Sequence, residues 1–100
     1  MIYYTQLIFI REGGEEAFER FEEVVLPLLD RHKGRLLYRV RPHPADVIDT
    51  AVGLPYEVHL VSFESRSDFE SYANDPERQH YLPLKSDSIE SAMLIEGVLV

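Results

Sequence analysis

The sequence predicts an α+β fold, a four-stranded antiparallel sheet with its helices on one face. Three observations lead there. Four stretches rich in β-branched and aromatic residues alternate with stretches of helical period, in the order β-α-β-β-α-β. Two of those strands, 2–10 and 56–64, carry bulky apolar groups at both odd and even positions, which marks strands covered on both sides. A chain of 100 residues then has helix enough to cover one sheet face and little left for the other.

Residues 2–10, IYYTQLIFI, form the first strand. Ile2, Tyr4, Gln6, Ile8 and Ile10 share one face; Tyr3, Thr5, Leu7 and Phe9 share the other. Gly13-Gly14 breaks the strand, and a helix follows over 15–32. Phe18, Phe21, Val25, Leu28 and Leu29 supply its apolar stripe, while Glu15, Glu19, Glu22 and Glu23 lie mainly opposite. Glu15 and Glu16 suit the positive end of the helix; Arg31, His32 and Lys33 suit the negative end. Pro27 kinks or ends the regular part, and Gly34 offers a left-handed cap.

The second strand, 35–41, sets Leu36, Tyr38 and Val40 against Leu37, Arg39 and Arg41. This cleaner alternation places it near an edge, where two arginines discourage pairing with another chain. Residues 42–55 are irregular, with three prolines, Gly53 and room for a helical turn over 45–51. The third strand, 56–64, sets Val58, Leu60 and Ser62 against Glu57, His59, Val61 and Phe63. A second helix over 67–82 opens on the capping-box spacing of Ser67 and Glu70. It restarts at Asp75-Pro76 and is disrupted at Pro83. The last strand spans 93–100, with Gly97 a bulge or point of close approach. This order is the ferredoxin-like split β-α-β arrangement, in one domain over 1–100.

Composition excludes several functions. There is no cysteine, hence no disulfide and no thiolate metal site. The net charge of -8 leaves no basic excess for nucleic acid or an anionic membrane. The apolar N-terminus lacks a basic leader, and no stretch approaches the roughly 18 apolar residues of a spanning helix. The expectation is a cytoplasmic protein.

The run VVLPLLDRHKGRLLYR, the run YEVHLVSFESRSDFESYANDPERQHY and the closing MLIEGV together resemble the dimeric α/β-barrel superfamily, in particular its small uncharacterised domain-of-unknown-function members. The resemblance covers nearly the whole chain. It implies a homodimer in which two sheets face each other with the helices outside. The superfamily also includes cofactor-free monooxygenases of antibiotic biosynthesis, haem-degrading enzymes and muconolactone-isomerase-like proteins. This chain has no Trp, and its 42–55 connection is longer than the link expected in those families.

His59 is the foremost candidate site residue, as a base or ligand anchor in a central strand. The plainer alternative is a core histidine satisfied by Glu57 or Tyr38. Tyr4 and Gln6 are placed to hold a ligand or a partner subunit. Tyr81, with His80, is a candidate for a pocket mouth. His43, Asp46 and Asp49 are too weak a set to name a metal site. Arg35, Arg39 and Arg41 suit either an anionic substrate or solubility. No nucleophile elbow, phosphate loop or dinucleotide fingerprint occurs, and no cofactor or metal is expected. The expected function is binding or transforming a small organic molecule between sheet and helices. If catalytic, the activity would be that of a cofactor-independent monooxygenase or isomerase. The alternative is a non-catalytic dimeric module for ligand sensing or assembly.

Overall fold

Two strands, β1 (Ile2–Ile10) and β3 (Glu57–Phe63), lie side by side in the middle of the sheet, as their two-sided apolar pattern requires. β2 (Gly34–Val40) flanks β3, and β4 (Ile89–Gly97) flanks β1, so the order is β2-β3-β1-β4 with every neighbour antiparallel. The computed structural model describes residues 1–100. β4 starts at Ile89, earlier than the sequence pattern implies, and ends at Gly97. Its bulge falls opposite Phe9 and Ile10 of β1, not at Gly97.

One sheet face is packed under the helices. Tyr4, Ile8, Glu57, His59 and Phe63 are buried there. The opposite face presents Tyr3, Leu7, Phe9, Val58 and Leu60, all partly exposed. Tyr38, Val40, Met93 and Ile95 continue it, each 42–48% exposed.

α1 (Glu15–Val25) is followed without a break by a 3-10 segment, Leu26–His32. Pro27 has no N–H to give to the preceding turn, so the α-ladder cannot continue through it. The left-handed cap is Lys33, at φ 59°, and not Gly34. Gly34 instead opens β2 in a place without room for a side chain. A Cβ there would lie 2.6 Å from Phe63 Cε1 and 3.0 Å from Leu29 Cδ2.

The second helical region is three short helices: α2 (Arg66–Ala73), α3 (Pro76–His80) and α4 (Leu82–Ser88). Ser65, rather than Ser67, caps α2, accepting from the Asp68 N–H at 3.2 Å. Asp75 caps α3 as expected, accepting from the Glu77 N–H at 2.9 Å. Pro83 does not end a helix; it stands in the first turn of α4, where a missing N–H costs nothing.

The core gathers Tyr4, Leu28, Leu29, Phe63 and Tyr72. Phe69 stacks on Tyr4 with centroids 4.2 Å apart, and Phe63 meets Tyr4 edge-on at 5.8 Å. No helix is long and apolar enough to cross a membrane.

Candidate functional site

The site grows from the alternation of β3. Glu57 and His59 are two residues apart, so both point toward the helices. His59 pairs with Gln6 of β1 on one side and Arg39 of β2 on the other. Arg39 reaches that face because β2 carries one extra residue. Leu36 lies opposite Val61 and Tyr38 opposite Leu60, so Leu37 is bulged out. Past the bulge the faces exchange. Arg39 and Arg41 join Leu36 beneath the helices, whereas Tyr38 and Val40 go to the bare face. Strict alternation groups Leu36 with Tyr38 and Val40, and the bulge overrides it.

Glu57 is wholly buried and sits at the hub. Arg39 Nε donates to its Oε2 at 2.9 Å, and Arg41 Nε to its Oε1 at 2.7 Å. His59 Nε2 also contacts Glu57 Oε2. Burial would push the Glu57 carboxyl up, but the hydrogen bonds from His59, Arg39 and Arg41 outweigh it and hold the carboxyl down at about 2. Glu57 is therefore ionised, and the His59 Nε2–H is the donor. Glu19 of α1 closes the outer side through Arg41, whose guanidinium also lies 5.1 Å from the Tyr56 ring centroid.

Glu22 is the opposite case. It stands one turn beyond Phe18 on the buried stripe of α1 and is only 5% exposed. Its Oε2 has no hydrogen-bond partner and lies 3.8 Å from His59 Nε2. Burial pushes this carboxyl up to about 7, with His59 drawing it partly back and Glu57 adding to the rise. Two neighbouring carboxyls are thus driven apart, one fixed as an anion and one able to exchange a proton near neutral pH.

Between this network and the helices is a cavity of about 90 Å³. Its walls are mainly apolar, with Phe21, Val25, Leu29, Val61 and Phe63 among them, and Glu22, His59, Arg78 and Lys85 reach it. Of the residues singled out in the sequence, His59, Gln6 and Tyr4 line the cavity, and Tyr81 does not. The Tyr81 ring lies edge-on to His80 at 5.0 Å instead. The Tyr4 hydroxyl donates to Glu96 Oε1 at 2.8 Å. Burial and that bond raise the phenol to about 12, so Tyr4 offers the cavity a neutral ring and no base.

Glu22, Glu57 and His59 bring one ligand atom each within 4.8 Å of one another, the geometry of a small metal site. Arg39 and Arg41 already supply the positive charge there, and a cation would have to displace them from Glu57. The group is better described as an ionic hub. His43, Asp46 and Asp49 form no such group; His43 Nδ1 accepts from the Ala45 N–H at 3.3 Å. Sequence reasoning misses Glu22, Arg78 and Lys85. For Glu22 the signal is present in its spacing from Phe18 and Val25.

No known family profile matches the sequence, and no curated protein matches it. Solved structures do. RPA0582 of Rhodopseudomonas palustris, a protein of unknown function, superposes with a TM-score of 0.84 at 16% identity, covering 99% of this chain and 82% of that one. Atu4242 of Agrobacterium tumefaciens gives 0.72 at 22% identity, covering 100% and 94%. A dimeric protein of unknown function and ferredoxin-like fold from Bacteroides fragilis gives 0.72 at 14% identity, covering 98% and 95%. The fold is ferredoxin-like. The resemblance read from the sequence holds at that level, and the ferredoxin-like neighbours include proteins described as dimeric and as of unknown function.

Proposed function

We propose that the protein works as a homodimer that binds a small organic molecule between its sheet and helices and moves a proton on it. One observation carries the reading. Glu22 presents a buried, partnerless carboxyl oxygen at the cavity, with its pKa raised to about 7. A general acid–base group is most effective when it titrates near the working pH. Glu22 takes or gives the proton, and His59, oriented by Glu57, stabilises the charge beside it. This chemistry is of the isomerase kind and needs no cofactor. The reading includes a cytoplasmic setting.

Deuterium incorporation tests it. Small ketones and lactones incubated with the protein in D2O should exchange their protons next to the carbonyl faster than in buffer. Glu22→Gln should slow that exchange by roughly a hundredfold or more. If no carbonyl compound in the panel exchanges above the buffer rate, the proton-transfer reading fails.

The size of the cavity favours the assembly form of the second reading, a non-catalytic dimeric module. Ordinary ligand pockets measure roughly 300–1,000 Å³, well above the 90 Å³ seen here. Native mass spectrometry of freshly purified protein separates the two, because an assembly module carries no small molecule whereas a ligand-binding protein retains one.

The bare face supports the homodimer. Each large apolar side chain left in water forgoes about 1.5–3 kcal/mol, and a two-fold pairing covers the same patch on both copies. Light scattering should give about twice the 11.6 kDa chain mass at micromolar concentration. Leu60→Lys, on the bare face, should shift that value toward the monomer. A wild-type particle of 11.6 kDa with a concentration-independent melting point would rule the dimer out.

A further inference from the structure

Two buried side-chain polar atoms lack a hydrogen-bond partner, Glu22 Oε2 and Arg78 Nε. Both residues line the one cavity beneath the helices. One atom is an acceptor when ionised and the other is a donor, yet they do not satisfy each other. Arg78 is held in place from other directions. Its Nη1 donates to the Ala73 carbonyl at 3.2 Å, and its guanidinium lies 5.1 Å from the Tyr72 centroid and 5.8 Å from that of Phe21. Lys85 of α4 reaches the same cavity. Burial, then the nearby Arg78 charge, lowers its ammonium pKa, and Glu22 opposes this.

The cavity therefore has two cationic side chains and only one acidic lining residue, Glu22. Water satisfies hydrogen bonds but supplies no negative charge, and a neutral organic molecule has the same deficiency. A carboxylate meets both needs with one group, since its two oxygens accept from separate donors. About 90 Å³ admits a molecule of only a few heavy atoms.

We propose that the cavity takes a short-chain hydroxy or oxo acid, its carboxylate held by Arg78 Nε–H and the Lys85 ammonium and its other polar group turned toward Glu22. This substrate class rests on the proton-transfer reading for its purpose, but the binding site stands on the unpartnered Arg78 Nε–H and the Lys85 ammonium in the same cavity. Arg78 and Lys85 bind the acid; Glu22 faces the end that reacts.

The test is an NMR titration of the whole protein with 2-hydroxypropionate and, as its uncharged twin, 2-hydroxypropionamide. The acid should bind at least about tenfold more tightly, the worth of a charge-assisted hydrogen bond. Lys85→Met should remove most of that preference, and Arg78→Gln should do the same if it folds. Glu22→Gln should retain it. Equal affinity for acid and amide, absence of binding by either, or a preference unchanged in Lys85→Met would each overturn the proposal. The two readings fail separately. An acid preference without Glu22-dependent deuterium exchange sinks proton transfer and leaves the carboxylate site; exchange without an acid preference does the reverse.

Discussion

Glu57→Gln should lower the stability of the folded protein by about 3–5 kcal/mol, the usual result of removing one member of a buried ion pair. The substitution keeps the shape of the side chain and removes its charge. Arg39 and Arg41 would then face a neutral amide, and His59 would lose the anion to which it donates. Denaturant unfolding at fixed protein concentration and neutral pH measures the change. A loss below about 1 kcal/mol would mean that the network contributes no more than a surface ion pair. The same hub sets an acid limit. The Glu57 carboxyl is held at about 2 against an ordinary 4.5, so its contribution is present above about 4.5 and is lost as the pH falls from there toward 2.

Glu22→Gln should act in the opposite direction. The folded protein holds the Glu22 proton more tightly than the unfolded chain, at about 7 against 4.5. The folded state then binds more protons between those values, and stability falls as the pH rises through them. A shift of this size corresponds to about 2–4 kcal/mol. Glutamine carries no charge at any pH, so the variant should be more stable than wild type at pH 8 and close to it near pH 4.5. Thermal melts at the two pH values measure this. A variant less stable than wild type at pH 8 would show that the charged Glu22 is not a burden on the fold. A gain in stability with a loss of exchange activity is the pattern of a group kept for chemistry.

Much of the architecture is legible in the sequence because it rests on period and crowding. β1 and β3 announce their central position through apolar residues on both faces; β2 does lie at an edge, but the alternation that suggests it is broken by the bulge at Leu37. The helical region before β4 is harder to read. Pro83 reads as a stop, but proline is compatible with the first turn of a helix, and α4 begins there. The site is half legible. His59 stands out as a histidine within an apolar strand, and Glu57 as its neighbour. Acidic residues crowd the first helix, which draws Glu22 to the wet side on paper, although its spacing from Phe18 places it on the buried stripe. Arg78 and Lys85 come from separate short helices, and only the tertiary packing brings them to one cavity.

The bulge at Leu37 behaves like a change of phase in a two-beat pattern. Before it, even-numbered residues of β2 face the helices; after it, odd-numbered ones do. A strand of strict alternation would send Arg39 and Arg41 to the surface and Tyr38 and Val40 inward. One inserted residue thus sorts the edge strand into two uses, with its greasy positions assigned to an outside surface and its charges to the interior. That one extra residue sets the phase: straightening the bulge with every residue retained would exchange the two sets at once without altering any of their side chains.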